Sequence, residues 1–239
     1  SKFPDTNQFI DFYVSGWETP VFGYNADGTK SSCEYDYNPG GCCRVKHFSG
    51  EVTQLPYHIF YEKYNLKEVA LPNSLRKICE GAFIGCVDLK AIMIPENVYQ
   101  IDAYAFRGCS SLETVLIKGQ LTSLKGMIFY DCTSLKIVEF AEGITQLKDR
   151  MFGNCVSLET ITLPASIEKI EDEVFKGCTN LKTVYVKATT PPEMLWYVFT
   201  DNEYKNLNCK IYVPVESVEE YKKASNWSTY ADQIEGYNF

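Results

Sequence analysis

Phenylalanine, cysteine and leucine recur along the middle of this chain at a fixed spacing of 23 positions. Phe83, Phe106, Phe129, Phe152 and Phe175 form one series, and Cys86, Cys109, Cys132, Cys155 and Cys178 follow them three residues later. Leu89, Leu112, Leu135, Leu158 and Leu181 keep the phase, as do Ile92, Val115, Val138, Ile161 and Val184. The last column reads Ile94, Ile117, Phe140, Leu163 and Val186. Repetition at this period marks a solenoid, because one unit cannot bury its own apolar side and a stack of units can. Within a unit, Leu112, Val115 and Ile117 can face inward while Thr114 and Leu116 face outward, which is strand behaviour. Stacked units then place equivalent strands about 4.8 Å apart in one parallel sheet. A second inward pair recurs as Leu75/Ile78, Val98/Ile101, Leu121/Leu124, Ile144/Leu147 and Ile167/Ile170. The stretch after it, as at 102–106, has room for only a turn or two of helix.

The run from Ile78 through Gly81-Ala82-Phe83-Ile84-Gly85-Cys86 to Ile94-Pro95, repeated from Ile101 to Ile117, closely resembles the BspA-like leucine-rich repeat family. Asp131 and Asn154 stand where the family has Gly, and Lys118 and Ala141 where it has Pro, with the inward columns kept. The resemblance implies a right-handed leucine-rich repeat coil, with a parallel β-sheet on one face and short helical turns on the other. It also implies a surface or secreted protein like those of gut and oral anaerobes and some parasites, with adhesion and host-protein binding as its roles.

Residues 1–47 read as a β-hairpin N-terminal cap. Strands are expected around Phe9–Val14, Val21–Tyr24, Cys33–Tyr37 and Cys42–Phe48, with turns at Asn25-Ala26-Asp27-Gly28 and Asn38-Pro39-Gly40-Gly41. A cap is needed because an open coil exposes apolar columns and an unpaired strand edge. Residues 48–186 make six coils, the first degraded, with Phe60, Leu66 and Val69 in phase and Lys63 in place of Cys. After Val186 the phase slips: Phe199 follows Phe175 by 24, and Thr189-Thr190-Pro191-Pro192 interrupts. Cys209–Pro214 reads as a displaced strand, and Pro214–Ala224 as a short helix with Val215, Val218 and Tyr221 on one face. Residues 187–239 thus read as a strand-helix C-terminal cap, and the whole as one continuous domain.

The net charge is −8 and the pI about 4.9, which argues against nucleic acid or an anionic membrane as partner. No apolar run approaches the length of a membrane span. The chain starts at Ser1 without a charged-then-apolar leader, as in a cytosolic protein or the mature part of an exported one. The resemblance favours export, with a lipid anchor upstream as one route.

The regular cysteines read as buried thiols, since parallel side chains in stacked coils do not converge for a disulfide. One Cys per repeat is not zinc spacing. Cys33, Cys42, Cys43 and His47 look more like a metal site. However, a hairpin pairing Tyr37 with Cys42 puts Cys33 opposite Lys46, too far from Cys42 for a bridge, and His47 reaches Cys33 only through a bulge. No metal or cofactor is expected.

Catalytic signals are sparse. Ser74-x-x-Lys77 matches a nucleophile motif, but Ser166-x-x-Lys169 repeats it at an equivalent position, which marks repeat grammar. His47 and His58 are the histidines, and carboxylates such as Glu113, Glu139 and Glu159 lack a partner signal. Asn226-Trp227-Ser228 fits a glycosylation sequon. No enzyme is expected. The outward strand positions offer the candidate surface for a protein partner, a host extracellular or surface protein by the resemblance. These are Ala70, Met93, Leu116, Glu139, Thr162 and Tyr185 in one column, and Ala91, Thr114, Ile137 and Thr160 in the next, rimmed by Lys67, Lys90, Glu113, Lys136, Glu159 and Lys182. A rival surface is glycan recognition by Tyr13, Trp17, Tyr24, Tyr35 and Tyr37, and a third reading is a structural element without a discrete partner.

Overall fold

Residues 23 apart lie over one another in successive turns of a single coil. The computed structural model describes residues 10–12, 22–25, 30–38, 42–48 and 52–239, with side chains from residue 52 onward. The rings of Phe60, Phe83, Phe106, Phe129, Phe152, Phe175 and Phe199 form one stack, with centroids 4.9–5.6 Å apart and planes within 18° of parallel. The one-residue slip before Phe199 leaves the stack intact. On the front, strands Ala91–Ile94, Thr114–Ile117 and Ile137–Phe140 pair in parallel and in register, as do Thr160–Leu163, Thr183–Val186 and Lys210–Pro214. The back carries two-residue parallel strands, among them Lys77–Ile78, Gln100–Ile101 and Ser123–Leu124. Every expected inward pair, from Leu75/Ile78 to Ile167/Ile170, is buried.

The turns between back and front are single i→i−3 turns, such as Ile84 N–H to the Gly81 carbonyl. Alternate amides point along the stack instead. Tyr104, Phe106 and Gly108 donate to Gly126, Ile128 and Tyr130 of the next coil. That alternation requires two left-handed residues per turn. One site holds Tyr104, Met127, Arg150 and Glu173 at φ 47–59°, and the other Gly108, Asp131, Asn154 and Gly177 at 60–77°. Asp and Asn are the side-chain-bearing residues that tolerate this region best, which explains why they replace Gly there. Strain of about 1–2 kcal/mol at residues such as Arg150 is offset by the bonds between coils that the geometry permits.

Each ladder cysteine has a specific partner. The thiols of Cys86, Cys109, Cys132, Cys155 and Cys178 donate to the carbonyls of Phe60, Phe83, Phe106, Phe129 and Phe152 at 3.1–3.3 Å. All are free and fully buried. Burial raises the thiols of Cys109, Cys132 and Cys155 well above their ordinary value of 9.0. The sign follows: above about pH 9 an unfolded thiol loses its proton while the folded one keeps it, so stability falls as pH rises. We expect thermal midpoints to drop above pH ~9, and Cys132→Ala to lessen the drop by about 1.4 kcal/mol per pH unit. Ellman's reagent should label the ladder thiols only after unfolding.

The hydrogen-bonded ladders are interrupted once on each side. On the front, Ile137–Phe140 belongs to one sheet and Thr160–Leu163 to the next; on the back, Ser123–Leu124 and Gln146–Leu147 are likewise in separate sheets. Two residues account for the front break. Lys118, Ala141 and Lys187 donate their amides to Ile94, Ile117 and Leu163 of the preceding coil. Pro164 holds the equivalent place with no N–H to give. Phe140 occupies a column otherwise filled by Ile, Leu and Val; it is half-buried where the others are buried, and meets Phe152 edge-on at 6.1 Å.

At the N-terminal side, Ile10–Phe12, Phe22–Asn25, Lys30–Asn38 and Cys42–Phe48 form antiparallel pairs. Phe22–Asn25 pairs with Val52–Leu55, which runs parallel to Lys77–Ile78 and so extends the back ladder. The hairpin register differs from expectation. Asn38 pairs with Cys42 and Tyr37 with Cys43, and a bulge between Glu34 and Tyr35 places Glu34 opposite His47 and Cys33 opposite Phe48. Sequence spacing alone does not reveal a bulge, because it adds one unpaired residue.

At the C-terminal side, Lys210–Pro214 is the displaced strand, and an unforeseen strand, Ile234–Tyr237, pairs with it in parallel. The helix is shorter than expected: a 3-10 turn over Val215–Ser217 precedes an α-helix at Val218–Lys223. The tighter turn rotates the face, so Ser217 and Tyr221 are buried and Val215 is 52% exposed.

Candidate functional site

The front columns stand in the expected register. Met93, Leu116 and Glu139 are direct neighbours, as are Ala91, Thr114 and Ile137. Across the break, Thr160 pairs with Thr183 and Thr162 with Tyr185. Ala70, Ala91, Met93, Leu116, Ile137, Thr162 and Tyr185 are half-buried, while Glu139 and Thr160 are exposed. Thr114 departs from the expectation. It is buried, because a short side chain between Ala91 and Ile137 in a tightly spaced column is covered by its neighbours, and it offers a partner little contact.

Sequence reasoning missed the aromatic end of this face. Tyr185 stacks on Tyr212 at 5.2 Å, and Tyr237 and Phe239 meet Tyr185 edge-on at 5.1 and 6.2 Å. Tyr237 and Phe239 remain 43% and 51% exposed. Tyr212 continues the column of Tyr185, which the irregular spacing after Val186 hid. The charged rim is partly self-neutralised: Lys136 meets Glu113 at 3.2 Å and Lys182 meets Glu159 at 2.9 Å. Exposed pairs of this kind add little stability and cancel each other's field, so the rim frames the face without giving it one sign.

The other singled-out residues do structural work. The Ser74 and Ser166 hydroxyls donate to the carbonyls of Val52 and Ile144 at 2.8 Å, bracing one coil on the next. His58 stacks on Tyr57 at 3.7 Å. Asn226 of the sequon donates its amide to the Met194 carbonyl at 2.6 Å, beside fully buried Trp227. The side chains of Tyr13, Trp17, Tyr24, Tyr35, Tyr37, Cys33, Cys42, Cys43 and His47 lie outside the described residues. Among the described residues, no group of three His, Cys, Asp or Glu side chains is placed to hold a metal ion, and no helix is long and apolar enough to cross a membrane.

A polar recess on the turn side was also missed. It has a volume of about 240 Å³ and is lined by Tyr130, Arg150, Asn154, Glu173, Lys176 and Asn202. Glu173 is buried and held by Arg150 at 2.5 Å and Lys176 at 3.2 Å. Desolvation pushes its carboxyl up, but the hydrogen bonds from Arg150 and Lys176 outweigh this and leave it below the usual range.

The repeats have relatives. A family model described as a BspA type leucine rich repeat region matches residues 53–189 in six copies. Among solved structures, the Treponema pallidum leucine rich repeat protein is 24% identical with a TM-score of 0.58, over 70% of this chain and 85% of that one. A leucine-rich repeat protein from Eubacterium ventriosum is 22% identical with a TM-score of 0.50, over 66% of this chain and 46% of that one. A leucine rich cell surface protein from Faecalibacterium prausnitzii is 21% identical with a TM-score of 0.45, over 79% of this chain and 62% of that one. No curated protein matches the chain.

Proposed function

We infer function from one premise: the chain belongs to the BspA type leucine rich repeat family, whose pattern covers residues 53–189. A repeat module of this kind offers an extended sheet for binding. On that footing the protein is a non-enzymatic, exported or surface-held module that docks a protein partner on its front sheet, in the manner of an adhesin. The partner is a host extracellular or surface protein. Division into caps at 1–47 and 187–239 around repeats at 48–186 is part of the same proposal.

The observation that carries this reading is the outward column itself. Half-buried Met93 and Leu116 stand in register at one end, and Tyr185, Tyr212 and Tyr237 cluster at the other. Apolar and aromatic side chains on a flat, preformed surface are the usual anchors of a protein interface. Immobilised protein exposed to an extracellular-matrix extract should capture a partner identifiable by mass spectrometry. The double variant Met93→Asp/Leu116→Asp should weaken that capture by at least about 30-fold, the size of a hot-spot loss of 2 kcal/mol. The new carboxylates stand side by side next to Glu139, so the thermal midpoint should fall somewhat, and capture is compared at a temperature where the variant is folded. Undiminished capture by the folded variant removes the front face from the proposal.

A further inference from the structure

We propose that the turn-side recess between Tyr130 and Lys176 is a binding site for a neutral sugar ring, separate from the front sheet. Beside the recess one column position has no side chain. In the outward column Ile84, Arg107, Tyr130, Gly153, Lys176, only Gly153 has none. A Cβ there would lie 2.7 Å from the Tyr130 ring, so the ring lies over the glycine and forms one wall. Asn154 lines the recess; the preceding turn has Asp131 at this position and the following one Gly177. Its Nδ2 donates to Asp131 Oδ1 at 2.9 Å and to the Tyr130 hydroxyl at 3.2 Å. Gly153 and Asn154 thus fall side by side, on one turn.

The chemistry of the lining selects the ligand. Arg150 and Lys176 are both bound to Glu173, and Asp131 adds a second negative charge through Asn154. Two cations and two carboxylates leave no net charge to attract an ion. What remains is a mixed set of donors and acceptors fixed in place: guanidinium and ammonium protons, two amide groups, a carboxylate and a phenol. Sugar hydroxyls, each a donor and an acceptor, match such a set. The volume of about 240 Å³ is below that of drug-sized pockets, about 300–1,000 Å³, and suits one ring. Beyond it the Lys176 ammonium lies 3.6 Å from the centre of the Tyr204 ring, which meets Tyr197 edge-on. Tyr197 and Trp196 are 52% and 63% exposed, one coil further on, where adjoining rings of an oligosaccharide can stack.

The test is saturation-transfer NMR and calorimetry with methyl mannoside, methyl galactoside, methyl glucoside, N-acetylglucosamine and oligosaccharides built from them. At least one should bind, and the affinity should be insensitive to salt because the ligand is neutral. Asn154→Gly places there the residue that the chain has at 108 and 177 and should keep the fold, yet lose at least ten-fold in affinity. Tyr130→Ala should lose as much by removing the phenol to which Asn154 is bonded, while Met93→Asp/Leu116→Asp should bind sugar as wild type does. No binding by any probe, or equal binding by Asn154→Gly and Tyr130→Ala, overturns the site. So does a preference for inorganic sulfate or sulfated sugars that salt abolishes, since the recess would then be an anion site.

Discussion

Replacing Phe129 by Ala is expected to lower the unfolding free energy by about 3–5 kcal/mol. The ring is fully buried between Phe106 at 5.4 Å and Phe152 at 5.6 Å. Its neighbours cannot close over the void. Met127, Phe129 and Asp131 donate to Asp149, Met151 and Gly153 at 2.8–2.9 Å, which fixes the spacing of the coils at that point. A cavity that cannot collapse costs the upper part of the range for its chemistry. Coil-to-coil coupling in a solenoid is nearest-neighbour, so weakening a central interface should also broaden the urea transition or split it into two. Phe140→Ala provides the contrast. That ring is only half-buried at the break in the front ladder, and its removal should cost roughly half as much. Denaturant titrations followed by circular dichroism measure both. Equal losses, or a loss below about 1 kcal/mol for Phe129, would show that the stack is not the spine of the fold.

The columns were legible because burial in a solenoid repeats with the chain. A side chain that must lie over its predecessor appears at a fixed interval, and Phe83 to Phe175 do. The left-handed turn position was half legible: Gly108 and Gly177 announce it, and Asp131 and Asn154 are its usual substitutes. The companion position shows a glycine only at Gly81, and Tyr104, Met127, Arg150 and Glu173 share no chemistry; their backbone is set by bonds between coils. The thiol-to-carbonyl bonds were hidden for a related reason. A cysteine column looks the same whether its sulfur is merely buried or also donates. Breaks in period misled most. The slip after Val186 concealed Ile234–Tyr237 and the tyrosine cluster on it, and the hairpin register differs by one residue from the turn onward and by a second beyond the bulge. The recess on the turn side is lined by residues of several columns, Tyr130, Arg150, Asn154, Glu173, Lys176 and Asn202, which no single column of the sequence brings together.

Trp227→Ala should be as damaging as the loss of a central phenylalanine, about 3–5 kcal/mol, although it lies outside the regular repeats. Its indole is fully buried, donates Nε1–H to the Pro192 carbonyl at 2.8 Å and meets Tyr221 edge-on at 5.0 Å. Tyr221 and Asn226 in turn donate to the carbonyls of Ala188 and Met194 at 2.7 and 2.6 Å. Three side chains from one short segment thus satisfy the carbonyls of the irregular stretch that follows the last regular coil. That stretch carries Pro191 and Pro192, which have no amide protons with which to extend a ladder. Truncating the indole leaves the Pro192 carbonyl without this donor and opens a void beside Phe199, whose ring centre is 6.4 Å away. Trp227→Phe separates the two effects: it keeps most of the packing and should lose only about 1–3 kcal/mol, the cost of an unsatisfied buried polar group. If the segment covers the end of the stack, Trp227→Ala should also speed amide exchange in Ile234–Tyr237 and in Lys210–Pro214, to which it is bonded. Exposing those edges should favour self-association through unpaired strands, visible by light scattering at temperatures where the wild type stays monodisperse. A Trp227→Ala protein with unchanged exchange in both strands would mean that the last segment is an appendage and that the front sheet ends the solenoid by itself.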